Sequence, residues 1–113
     1  MIDQQQLLVN TGNDPVLAYQ LCEAFVSSST ELEAELRAAC LSHDHELLSR
    51  TAHTLKSAFD VLGAVEQRDL ALQVELLASA RGSTGAEADL LTLSHRLLGE
   101  VVSVRAAVRQ LLD

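Results

Sequence analysis

The sequence predicts an all-α fold: an antiparallel four-helix bundle preceded by a short extra N-terminal helix. Three observations predict it. Apolar residues make up 48% of 113 positions, dominated by Leu, Ala and Val, with one Pro, no Trp and 3% aromatics. Leu and Ala favour helix, and the β-branched and aromatic enrichment expected of strands is missing. Four long segments carry apolar residues at 3,4 spacing between short polar turns, the pattern of amphipathic helices folding back on one another. The length suits one core, so residues 1–113 are expected to form a single domain.

The elements follow in order. Residues 3–10 predict a short helix ending before Thr11-Gly12-Asn13. Asp14-Pro15 then supplies an N-cap and a proline at the first helical position. The series Leu17, Leu21, Cys22, Phe25, Ser29, Leu32, Leu36, Cys40 keeps one helix face until a break near Ser42-His43. Asp44 can cap the next helix, which runs to about Leu62 and stops at Gly63, a residue suited to a left-handed turn. Residues 64–81 carry Leu70, Val74 and Leu77 on one stripe and Val65, Leu72 and Leu76 on a second, which has no evident partner. Gly82-Ser83-Thr84-Gly85 marks a loop, and Thr84 with Glu87 matches a capping box for a last helix reaching Leu112. Gly99 is a point of weakness or bending within it.

Charge and composition exclude several classes. The net charge of −8, from 8 Lys+Arg against 16 Asp+Glu, disfavours binding to polyphosphate backbones, so no nucleic-acid partner is expected. No apolar run approaches the roughly 20 residues of a membrane helix. The polar start Met1-Ile2-Asp3-Gln4-Gln5-Gln6 does not resemble a signal peptide. Cys22 and Cys40 fall on the same face of one predicted helix, too far apart for a disulfide with each other. These features lead to an expectation of a reduced, cytoplasmic protein.

The residues with most chemical content are His53-Thr54-Leu55-Lys56-Ser57 and Gly63. Lys56 is the only lysine in the chain. Unrolled at about 100° per residue, Leu48, Thr51, Leu55, Phe59 and Leu62 fall within roughly 60° of the side opposite His53. Ser49, Arg50, Lys56, Ser57 and Asp60 fall on the side of His53 itself. The histidine should therefore be exposed, with Arg50 at i−3 and Lys56 at i+3 as cationic neighbours. Such cations favour a neutral, nucleophilic imidazole and would stabilise a phosphoryl group placed on it. Ser49 and Ser57 are small enough to admit another protein. Asp60, at i+4 from Lys56, is positioned to pair with it. The arrangement points to a histidine that carries phosphate.

Ala52-His53-Thr54-Leu55-Lys56-Ser57 with Leu62-Gly63-Ala64 resembles the signature of histidine-containing phosphotransfer (HPt) domains of bacterial two-component phosphorelays. The resemblance extends to the Asp-Pro helix start, Phe25, Asp44 and Val74-Glu75. It implies a four-helix bundle whose exposed histidine takes phosphate from a receiver-domain aspartate and passes it to another receiver. On that basis His53 would be the phosphorylated nucleophile, through Nε2, and Lys56 would contact the phosphoryl group. Gly63 would terminate the histidine helix. The chain departs from the family pattern at Ser57, where Gly is frequent, and at Phe59 and Asp60, where smaller residues are usual. Ser57 is small enough still to admit a receiver, and by the unrolling Phe59 faces the core, so of the last two only Asp60 would alter receiver choice.

The expected partners are the receiver domains of a hybrid sensor kinase and of a response regulator, met by a monomer. No cofactor is expected on this chain, Mg²⁺ belonging to the receiver, and no Walker A loop is present. The chain would be a phosphocarrier and not an autonomous kinase. His43 and His45, with Asp44 and Glu46, are read as a solvated turn and not a metal site, because no third ligand is correctly spaced. His95 is read as an ordinary bundle residue. The alternative is a helical adaptor, a dimerisation module or a carrier that has lost its chemistry, with Val65, Leu72 and Leu76 as an exposed binding seam.

Overall fold

The computed structural model describes residues 2–80 and 86–113. Five helices occupy the described residues: α1 (Gln4–Asn10), α2 (Pro15–Ser42), α3 (His45–Val61), α4 (Val65–Ser79) and α5 (Ala86–Leu112). Helices α2 to α5 form a closed ring of neighbours, α2 against α3, α3 against α4, α4 against α5 and α5 back against α2. This is the four-helix bundle, and α1 lies across α2 and α3 as the short extra helix.

Local chemistry sets each boundary. Asp3 accepts from Gln6 N at 3.0 Å and so caps α1. Asp14 accepts from Val16 N and Leu17 N, with Pro15 next to it. Asp44 accepts from Leu47 N at 3.0 Å and opens α3. At the end of α2, His43 takes the left-handed conformation (φ 54°), and Asp44 N donates to Ala39 O at 3.0 Å. The end of α3 is a Schellman turn: Gly63 (φ 71°) donates to Asp60 O and Ala64 N donates to Phe59 O. The loop at residues 82–85 and the Thr84 half of the predicted capping box lie outside the described residues.

The core is largely the one the apolar spacing predicts. Leu48, Thr51, Leu55, Phe59 and Leu62 are all buried, and Phe25 meets Phe59 with ring centroids 6.0 Å apart. Leu70 and Val74 are buried and Leu77 is half-buried. On α2 the register departs by one residue at its start. Leu17 is exposed, and Ala18 is the buried position, because Ala18 and not Leu17 continues the 4,3,4 spacing through Cys22, Phe25 and Ser29. Cys22 and Cys40 are buried free thiols, and burial raises the pKa of both. Such thiols are inert. Arg105 ties α5 to α2 through Glu33 Oε1 at 2.6 Å and Ser29 Oγ at 3.3 Å.

Helix α5 runs continuously through Gly99, which is exposed with no atom within 4 Å of the place a Cβ would occupy. Gly99→Ala should therefore stabilise the protein by about 0.5–1 kcal/mol by restricting the unfolded chain. Urea titration checks this, and an unchanged midpoint would count against it.

Candidate functional site

His53 lies midway along α3 on the face away from the core. Its side chain is 59% exposed, as the helix unrolling predicts. The structure adds a partner that local spacing does not show. Glu75, from α4, places Oε2 2.8 Å from His53 Nδ1 and Oε1 2.8 Å from Lys56 Nζ. One carboxylate thus joins the imidazole to the only lysine.

The charge on Glu75 decides which nitrogen of the ring faces it as donor. Glu75 is held below the usual carboxylate range, first by the hydrogen bond from Lys56 and also by that from His53, against an opposing effect of burial. It is therefore ionised at neutral pH. An ionised carboxylate only accepts hydrogen bonds, so Nδ1 of His53 is the donor. In the neutral ring the other nitrogen, Nε2, then carries the lone pair. The ring is pinned on one edge and nucleophilic on the other.

The remaining predicted site residues fall around this centre. Arg50 is exposed one turn before His53, and among the described residues no carboxylate lies within ion-pair distance of it. Arg50 and His53 line a cleft of about 440 Å³ between α3 and α4, which continues past Ser49 to His45. Ser49 Oγ lies 3.0 Å from Ser79 Oγ, and Ser79 donates to Glu75 O at 2.9 Å. Ser49 therefore links α3 to the turn of α4 that presents Glu75. Ser57 is exposed and folds its hydroxyl back onto His53 O at 3.3 Å, leaving the surface beside the imidazole low.

Asp60 does not pair with Lys56. It accepts from Arg68 Nη1 at 3.1 Å, and Arg68 also reaches Asp69. The physical reason is environment. The Glu75 carboxylate is 20% exposed and that of Asp60 is 61% exposed, so the ammonium gains more from the less solvated partner. Gly63 ends α3 as expected, and it also seats α1: a Cβ there would come within 2.9 Å of Asp3 O. Asn10 Nδ2 completes that corner by donating to Asp60 O and Val61 O.

The other histidines stand apart. His43 Nδ1 is 3.0 Å and His45 Nε2 2.7 Å from the two oxygens of Glu87, so the α2–α3 corner is tied to the first turn of α5 and is not merely solvated. Among the described residues, no group of three or more His, Cys, Asp or Glu is arranged to hold a metal ion. His95 is exposed, and among the described residues it bonds only its own helix, Nδ1 to Leu91 O at 2.8 Å. Val65, Leu72 and Leu76 are exposed along the outer face of α4. No helix among the described residues is long and apolar enough to cross a membrane.

An exposed, oriented histidine with an adjacent lysine on a four-helix bundle defines a class, and the sequence comparison places the chain in it. Residues 20–113 match the Hpt domain family, and the chain belongs to that family. Its class of activity is histidine phosphotransfer in two-component signalling. The fold is similar to that of the HPT domain from a sensor hybrid histidine kinase of Shewanella, with a TM-score of 0.87 at 23% identity over 98% of this chain and 92% of that one. It is also similar to histidine-containing phosphotransfer protein B of Pseudomonas aeruginosa PAO1, with a TM-score of 0.71 at 26% identity, covering 96% and 94%. No curated protein matches the sequence.

Proposed function

We propose that the protein is a phosphocarrier: His53 accepts a phosphoryl group through Nε2 from a receiver-domain aspartate and relays it to the receiver of a response regulator. One observation carries the reading. Glu75 holds Nδ1 and leaves the other ring nitrogen, with its lone pair, facing solvent on an exposed surface. Membership of the Hpt family supports it.

The chemistry is an in-line displacement. Nε2 attacks the phosphorus of the partner's acyl phosphate, the N–P bond forms, and the P–O bond breaks with its electron pair returning to the partner's carboxylate. The phosphoramidate formed retains a high transfer potential, so the same step runs in reverse toward the next receiver. Mg²⁺ would come with the receiver's aspartate pocket, and this chain supplies the nucleophile and a cation. Lys56 is that cation, and its ammonium has donors beyond the one given to Glu75 for the phosphoryl oxygens. Ser49, Arg50, Ser57 and Asp60 border the face that a receiver would cover.

The test mixes the protein with a phosphorylated receiver and follows the label. Acid-labile, base-stable label should appear on wild type. Its absence with several receivers, while circular dichroism stays native, would favour the adaptor reading, to which the exposed Val65, Leu72 and Leu76 would then belong. Lys56→Ala should slow transfer by about 100-fold or more, the size expected when one electrostatic contact to a transferring group is lost. Unchanged rapid-quench kinetics in that variant would remove Lys56 from the mechanism.

A further inference from the structure

We propose that His43, His45 and Glu87 form an acid-fastened clasp: protonation of the two histidines tightens the hold of the first turn of α5 on the α2–α3 corner, and deprotonation loosens it. The clasp stands whether or not His53 carries phosphate. One carboxylate meets both rings, with Oε1 of Glu87 3.0 Å from His43 Nδ1 and Oε2 2.7 Å from His45 Nε2.

The backbone makes that convergence possible. Residues two apart on one helix do not face the same way, so His43 and His45 would diverge if α2 ran on into α3. His43 instead takes the left-handed conformation that ends α2, with φ 54°, and His45 opens α3 after the Asp44 cap. The break lets both rings reach α5. On the α5 side Ala88 and Asp89 are exposed, and Leu90 is the first buried residue among those described. Ahead of Leu90, among the described residues, Glu87 alone bonds its side chain to another element.

The chemistry of the trio makes the hold depend on pH. Glu87 is kept below the usual carboxylate range, first by the hydrogen bond from His43 and also by His45, against an opposing effect of burial. It is therefore an anion at weakly acid, neutral and alkaline pH, and it accepts from both rings. Neutral rings can each donate one N–H. Protonated rings donate the same N–H and add two positive charges, which strengthens the bonds. The hold is lost in part as pH rises through the histidine range, and again at strongly acid pH, where Glu87 takes a proton. The neighbouring charges act in the same sense. Asp44 between the histidines, Glu46 in the first turn of α3 and Asp89 in that of α5 are acidic, and Arg50 further along α3 is the cation that opposes them. From α2, Ala38 to Ser42 carry no charged side chain, and the Cys40 thiol is buried. From α4 the nearby cleft is lined by Ala78, Ser79 and Glu75, whose carboxylate is held by His53 and Lys56. His45 and Glu46 line that same cleft, so fastening the corner also fixes the wall of the cleft far from His53.

Hydrogen exchange of the full chain tests the clasp at the amides of Leu90 and Leu91, whose helical acceptors lie in the first turn of α5. With rates divided by their intrinsic values, wild type should show about three- to tenfold more protection at about pH 5.5 than at about pH 8. The ratio should fall to about one in Glu87→Gln and in the double variant His43→Gln, His45→Gln, in which glutamine keeps a donor and removes the titration. All three side chains are at the surface, so the variants should keep the fold, and circular dichroism at both pH values checks it. A wild-type ratio of one, or equal ratios in wild type and Glu87→Gln, would overturn the clasp. A ratio retained in Glu87→Gln and lost in Glu46→Gln would overturn it too, by assigning the pH effect to a carboxylate of the corner itself.

Discussion

His53→Gln should accept no phosphoryl group from a receiver and should remain as stable as wild type. Both halves follow from the position of the side chain. Nε2 is the only nucleophilic atom in the trio, since Nζ of Lys56 is an ammonium bound to Glu75 and Glu75 is an anion. Glutamine offers an amide of similar reach and no lone pair of comparable nucleophilicity, so labelling should drop to background. The stability cost should stay within about 0.5 kcal/mol, the range of ordinary surface substitutions, because the ring is 59% exposed and stands outside the core. The amide nitrogen of Gln can also still donate to Glu75. Acid-gel or filter assays of label, paired with urea titration, check the two halves separately. Label persisting on His53→Gln would send the search to His45, whose Nε2 lies against Glu87 at the far end of the same cleft. Loss of label accompanied by loss of fold would leave the adaptor reading standing.

The contrast between His53 and its partners shows what a single sequence can carry. The outward direction of His53 was legible because α3 is strongly two-sided: five apolar-face residues fix the buried side, and one rotation fixes everything else. The helix ends were legible for an equally local reason. Asp14, Asp44 and Gly63 act on backbone groups within three or four residues of themselves. The partner of Lys56 was not legible. Spacing along one helix offers Asp60 at i+4, whereas the structure supplies Glu75 from the neighbouring helix, 19 positions away in the chain. Helical periodicity assigns a side chain to a face. It does not say which residue of another helix arrives opposite, since that depends on the axial offset of α3 and α4. The same limit hid Glu87, which local pattern assigns to a cap and which the fold uses to hold His43 and His45. Leu17 failed for a different reason. At the first turn of α2 the apolar stripe offers both Leu17 and Ala18, and hydrophobicity alone prefers the larger residue over the one in register.

Gly63 joins the local and the long-range, and Gly63→Ala should lower stability far more than the addition of one methyl group ordinarily does. Two costs combine. The backbone at Gly63 has φ 71°, a left-handed conformation that costs an L-residue about 1–2 kcal/mol. The added Cβ would then lie 2.9 Å from both Asp3 O and Asp3 Cβ and 3.2 Å from Gln6 Cβ. Asp3 caps α1, so its carbonyl cannot move alone, and α1 would have to lift from the end of α3 that Asn10 also holds. Overpacking of this kind adds about 1–3 kcal/mol, giving about 2–5 kcal/mol in total. For a domain of this size that corresponds to a fall in melting temperature of about 10–20 °C. Gly12 provides the internal control. Its φ of 67° is nearly the same, yet no atom lies within 4 Å of the place its Cβ would occupy. Gly12→Ala should therefore lose only the conformational part, about 1–2 kcal/mol. Thermal unfolding of the two variants side by side separates the effects. Equal losses would mean that the close approach of α1 contributes nothing and that Gly63 acts only as the stop for the histidine helix. A larger loss in Gly63→Ala would place the seat of α1 at the end of α3, about three turns beyond His53.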